Sequence, residues 1–155
     1  MIPKAKPVPF SAGFTLIEVM VALAVVSIGM LGIASLYTQA LGAARTTQYR
    51  SQAINLLSDM ADRIRGNRLG DLSYAGAAAD NNCDLSGGAT CTPAQMAAHD
   101  LFTWGAQVQA LLPAGAWNLA RNAADTPPSY TITVTWDEVG QGQVTAQTVV
   151  QVPAF

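Results

Sequence analysis

The chain has 155 residues and a formal net charge of −2, enough for one domain plus an extra element but not for two full domains. No basic stripe with interleaved aromatics occurs in it, so nucleic acid is not an expected direct ligand. Half of the residues are hydrophobic, yet residues 19–44 contain no charged side chain at all; a soluble core does not require such segregation, whereas a membrane span does.

Residues 1–13 read MIPKAKPVPFSAG. Three prolines exclude a helix there, and Lys4 and Lys6 should hold this end in the cytoplasm. An apolar run then starts at Phe14 and is long enough to cross a bilayer as a helix. A secretory signal cleaved near Ala40-Leu41-Gly42 is the competing reading, but the run exceeds the usual hydrophobic region of about 7–15 residues. Glu18 also speaks against it. An ionisable group in hydrocarbon costs roughly 2.5–3.5 kcal/mol on insertion scales and is seldom there without a role.

Gly13-Phe14-Thr15-Leu16-Ile17-Glu18 followed by an apolar helix resembles the class III leader of type IV prepilins and pseudopilins. The resemblance implies cleavage after Gly13 by a prepilin peptidase and N-methylation of the new amino terminus at Phe14. It also implies an assembly role for Glu18, whose carboxylate would pair with the terminal amine of a neighbouring subunit. Either charge alone in lipid is penalised, while the pair attracts strongly in a poorly screened setting. A glycine before the scissile bond lets a protease approach the backbone closely.

Ser27, Gly29, Gly32 and Ser35 give the span small residues at which membrane helices can pack. Glycine weakens a helix by up to about 1 kcal/mol relative to alanine, and pilin filaments commonly loosen this region, so local melting near Gly29 is one expectation and simple packing the other. Beyond Ala44 the helical period continues through Tyr49, Ala53, Leu56/Leu57, Met60 and Ile64, with Gly66-Asn67 as the stop. One helix over 14–66 is expected, with a membrane part over 14–44 and an amphipathic part that needs a partner surface. Arg63, Arg65 and Arg68 form the only basic cluster, and Asp59 and Asp62 are spaced to pair with the first two on a solvated helix face.

Residues 69–91 read as an irregular connection. Within it Cys83 and Cys91, the only cysteines, read as a disulfide-closed loop in an oxidising compartment. Two free thiols or half of a metal site is the alternative; zinc would need two more ligands, and His99 is the only histidine. Thr92-Pro93-Ala94-Gln95 then opens a helix with a threonine cap, a proline at the first position and a glutamine at the third. Ala97, Leu101, Trp104, Val108 and Leu111/Leu112 give it one apolar face, with Trp104 in the core, and Pro113-Ala114-Gly115 ends it. His99 and Asp100 are adjacent and so lie on different faces, a poor catalytic dyad.

The period then changes to two. Tyr130, Ile132, Val134 and Trp136 alternate with threonines, and Val144, Ala146, Thr148, Val150 and Val152 alternate with polar residues, which predicts two strands around a turn over 137–142. Residues 117–121 offer a further strand before Thr126-Pro127-Pro128. The expected fold class is α+β: a long N-terminal helix packed on a small antiparallel sheet of three or four strands, with one further helix. The expected domains are a leader over 1–13, the helix over 14–66 and a periplasmic head over 67–155.

Residues 59–67, the helix containing Leu101 and Trp104 with its closing Leu111-Leu112-Pro113-Ala114-Gly115, and the strand Tyr130 to Trp136 resemble the PilV-like minor pilins of type IV pili. Major pilins of the family usually place their disulfide near the C-terminus around part of the sheet; here the cysteines precede the sheet, which favours a minor subunit. The resemblance implies a low-abundance subunit that helps to prime pilus assembly and joins the tip complex, hence a part in motility and adhesion; the residues themselves, with no serine elbow, metal spacing or phosphate loop, give no expectation of an enzyme. The implied partners are other minor pilins, the major pilin, the prepilin peptidase, the inner-membrane assembly machinery and membrane lipid, with no cofactor and no metal. A single inner-membrane pass with a cytoplasmic N-terminus comes before assembly and a place in the pilus after it. The alternatives are a minor pseudopilin of a type II secretion system, a single-span enzyme and a monomeric anchored binding module; the last leaves Glu18 unexplained.

Overall fold

A computed structural model describes residues 13–83 and 90–152. Its first helix, α1, runs from Leu16 to Gly66 without a break, through Gly29 and Gly32. It starts two residues later than expected because Thr15 caps it: the Thr15 hydroxyl accepts the Glu18 amide at 3.4 Å, leaving Thr15 outside the helical turns. At the far end Arg63 and Arg65 occupy the last turn, where cations complement the helix dipole.

The chain forms two units, residues 1–43 and 44–155. In the first, every described side chain is exposed, including Leu16, Ile17, Val25, Ile28, Leu31 and Leu36. An 18-residue window of α1 has a mean hydropathy of 2.4 and none of it is buried, so its length and composition suit a membrane span. Two of its hydroxyls bond back into the helix: Ser27 donates to the Leu23 carbonyl at 2.7 Å and Thr38 to that of Ser35 at 2.8 Å.

The second unit holds the core. α1 buries Ala53, Leu56, Leu57, Met60, Ala61 and Ile64 there, the face that the period of three and four picks out. After α1 comes a 3-10 helix, η1, over Arg68–Ala75, where an irregular connection was expected. It turns Tyr74 into the core while leaving Leu69 and Leu72 exposed, so no helical apolar period marks it. Helix α2 spans Pro93–Leu111 and begins with the expected capping box, Thr92 accepting from the Gln95 amide and the Gln95 side chain answering the Thr92 amide. Gly105 lets α2 approach the sheet: a Cβ there would lie 2.5 Å from the Trp117 indole nitrogen.

Three strands follow, β1 over Ala116–Asn122, β2 over Ser129–Glu138 and β3 over Gly142–Gln151. They form an antiparallel meander in the order β1-β2-β3, with Leu119 opposite Ile132 and Tyr130 opposite Val150. The expected turn over 137–142 is narrower. Asp137 and Glu138 still belong to β2 and Gly142 to β3, and Gly140 at φ +83° and Gly142 at φ +75° supply the left-handed backbone of the bend. Trp104, Trp136, Tyr74 and Tyr130 are the largest fully buried side chains. The architecture is an α+β pilin-like fold: a long, initially apolar helix with a small three-stranded sheet, η1 and α2.

Candidate functional site

At the start of α1 the sequence-predicted residues stand together on exposed backbone. Gly13 precedes the helix, Phe14 is 83% exposed, and Glu18 lies in the first turn. The Thr15 carbonyl receives the Val19 amide at 3.3 Å. A carboxylate in the first turn is favoured by the amide end of the helix dipole. Glu18 thus stands one turn from Phe14, followed by twenty-six residues, 19–44, that offer no other charge. Chemically this arrangement presents one exposed anion at the start of a helix whose next twenty-six residues carry no charge.

In the second unit Cys83 and Cys91 form a disulfide with a sequence separation of 8. The loop between them lies outside the described residues. Its base is tied to α2. The Ala79 amide donates to the Ala98 carbonyl at 3.0 Å and the Asn81 side-chain amide to the Gln95 carbonyl at 2.9 Å. His99 is directed to the same segment, its Nδ1 3.3 Å from an Asp80 carboxylate oxygen. Asp100 faces elsewhere, accepting the Tyr74 hydroxyl at 2.6 Å and an Arg63 nitrogen at 3.0 Å. The structure therefore separates His99 from Asp100. Among the described residues no group of three His, Cys, Asp or Glu side chains could hold a metal ion.

The basic cluster is more than a solvated face. Arg65 and Asp62 do form an exposed pair at 3.1 Å, and Arg63 pairs with Asp59 at 3.0 Å. Arg63 also reaches Asp100 across to α2. Burial works to lower the pKa of Arg63, but hydrogen bonds and charge from Asp100 and Asp59 outweigh it and raise the pKa above the ordinary value. Burial, then the hydrogen bond with Asp100, raises the Tyr74 phenol well above its usual range.

Two further networks were not anticipated. Glu138 is 3% exposed and accepts the Trp136 indole N–H at 3.1 Å and the Arg50 guanidinium at 3.2 Å, joining α1 to the end of β2. Asp71 of η1 pairs with Arg121 of β1 at 3.0 Å, and the Asp71 backbone carbonyl accepts the Tyr130 hydroxyl. Burial and the Asp71 charge push the Tyr130 phenol up to about 12. Arg50 and Glu138 lie 88 residues apart, and no sequence pattern joins them; these contacts join elements that are distant in the sequence of the head.

A family model described as Tt1218-like, type IV pilin Tt1218, matches residues 35–102. The prokaryotic N-terminal methylation motif matches residues 10–34, which contain Gly13, Phe14 and Glu18. Comparison with curated proteins and with solved structures gives no match. The two adjoining matches, running from residue 10 to residue 102 over an α+β pilin-like fold, support a type IV pilin.

Proposed function

We propose that the chain is a minor pilin of a type IV pilus, PilV-like in kind, which helps to prime assembly and enters the tip complex. Residues 1–13 are its leader; the prepilin peptidase cuts after Gly13, and the new terminus is methylated at Phe14. Residues 14–44 then hold the subunit in the inner membrane, with the head over 67–155 in the periplasm, until other minor pilins, the major pilin and the assembly machinery draw it into the fibre. It acts as a structural subunit rather than as an enzyme.

The observation that carries this reading is Glu18: a lone carboxylate directly after the Gly13-Phe14 junction and directly before the charge-free run 19–44. Lipid alone gives an anion no reason to be there. A small disulfide loop that precedes the sheet favours a minor subunit over the bulk fibre subunit. Intact mass of the protein taken from native membranes tests the reading. The mass should lack residues 1–13 and carry one added methyl group; a chain beginning at Met1 overturns it. Co-purification with sheared pili, in place of components of a type II secretion system, separates the minor pilin from a pseudopilin of similar design.

A further inference from the structure

Between Ala75, where η1 ends, and Cys83 the described chain forms neither helix nor strand. Contacts with α2 hold it instead. Two of them end on main-chain carbonyls, the Ala79 amide on Ala98 at 3.0 Å and the Asn81 side-chain amide on Gln95 at 2.9 Å, and neither involves a titratable group. The third lies between them: Asp80 Oδ1 stands 3.3 Å from Nδ1 of His99, the only histidine of the chain. The same Asp80 oxygen accepts the Asn82 amide at 3.0 Å and so fixes the turn in which Asn82 takes a φ of +51°.

Nδ1 of His99 is wholly enclosed. At 3.3 Å it is near enough to Asp80 for charge attraction, yet it is not aligned for a hydrogen bond. A bare lone pair there would face an anion, so this nitrogen needs a proton. A neutral imidazole can place its single proton on Nδ1, which leaves the ring uncharged. A second proton on Nε2 makes the ring a cation and adds an ion pair. Among the described residues Asp80 is the one carboxylate in ion-pair contact with the ring. Asp100, next in the chain, is turned to Arg63 of α1 and Tyr74 of η1, and Cys83 and Cys91 are joined and do not titrate.

We propose that His99 is a proton-operated latch on the base of the disulfide loop. With the imidazole charged, Asp80 is drawn to α2 and residues 79–82 are held by three contacts. With it neutral, the two contacts to main-chain carbonyls remain and the segment opens more readily. The sign follows: attachment is firmest below the range in which imidazole titrates and weakens as pH rises through it. Cys83 stands three residues beyond Asp80, so freedom gained at 79–82 is freedom at the base of the loop. The Asp80 side chain is 58% exposed. Solvent therefore screens the pair, and the expected effect is about threefold, the scale of an exposed ion pair. The latch rests on contacts within the head and stands whether or not the chain enters a pilus.

The test follows amide hydrogen exchange by NMR on the full chain in detergent micelles, with protection factors corrected for the intrinsic pH dependence of exchange. The Ala79 amide is the reporter. In the parent its protection should be about threefold greater at about pH 5.5 than at about pH 8. The Leu112 amide, which donates to the Val108 carbonyl at the far end of α2, should keep one value throughout. Asp80→Asn removes the charge but keeps an oxygen that can accept the Asn82 amide, so Ala79 should stay protected and lose its pH dependence. His99→Gln should do the same. Three results overturn the proposal: a flat profile for Ala79 in the parent, the parental slope retained in Asp80→Asn, or a Leu112 profile that falls in step with Ala79, which would place the change in α2 as a whole.

Discussion

The indole N–H of Trp104 donates to the main-chain carbonyl of Leu56 at 2.8 Å. This bond ties α2 to the middle of the buried face of α1. The Leu56 carbonyl lies inside a continuous helix and keeps its helical partner, so the indole occupies the second lone pair. Trp104 is fully buried. Trp104→Phe should therefore lose one net hydrogen bond and leave a small cavity, about 2 kcal/mol together, while Trp104→Ala should cost roughly 3–5 kcal/mol. Urea unfolding of the two variants checks the ordering; a Phe variant as stable as the parent would show that the bond contributes nothing.

Tyr130 and Tyr74 make the head sensitive to alkali. Burial, then the Asp71 charge, pushes Tyr130 up to about 12, and burial followed by the bond to Asp100 raises Tyr74 further. Tyrosines in the unfolded chain titrate near 10. A folded state that holds its protons more tightly gains stability that is complete below about pH 10 and disappears as pH rises through the folded values. Melting temperature should hence fall between about pH 10 and pH 12. Tyr130→Phe, which has no proton to lose, should flatten that fall; an alkaline limb of unchanged slope in the variant would remove Tyr130 as its cause.

The elements that could be read from sequence are those whose signals are local. Thr92-Pro93 with Gln95 fixes the start of α2 within a single turn, and the alternation from Tyr130 to Trp136 needs only neighbouring residues to specify a face. η1 escaped because Tyr74 and Gly70 alone are buried in its eight residues, too few to set a period. Glu138 escaped for a different reason. A carboxylate beside Asp137 and a glycine-containing bend reads as a turn residue, and its burial makes sense only with Arg50 and Trp136 in place around it. Asp100 was likewise read with its neighbour His99, whereas its partners Arg63 and Tyr74 come from α1 and η1. At the candidate assembly site the signal is one-dimensional: the methylation motif matched over residues 10–34 contains Gly13, Phe14 and Glu18 and can be read without any tertiary contact.

The Cys83–Cys91 bond closes a short loop, and on the chain-entropy account a loop of this size stabilises by about 2.5 kcal/mol. Cys83→Ser should lower the stability of the head by about that amount under oxidising conditions. The double variant with Cys91→Ser should match the single one, because either change opens the same loop. The Ala79–Ala98 and Asn81–Gln95 hydrogen bonds still hold the base of the loop to α2, so circular dichroism should show α2 intact. Equal melting temperatures for parent and variant would remove the disulfide from the stability of the head.

Glu18→Ala separates insertion from assembly. Removing a carboxylate from the first turn of an apolar helix makes membrane partition more favourable, so the variant should insert at least as well as the parent. On the proposed reading, what it loses is the carboxylate that answers a neighbour's amino terminus, residues 19–44 having no other charge to do so. Where surrounding dielectric is low, a terminal amine left without its counter-charge costs several kcal/mol, enough to reduce incorporation into filaments by well over tenfold. The variant should accumulate in membrane fractions with its leader removed and be depleted from sheared pili, and Glu18→Asp should restore incorporation in part by returning the charge at shorter reach. Pili that take up the alanine variant at parental levels would show that Glu18 has no part in joining subunits.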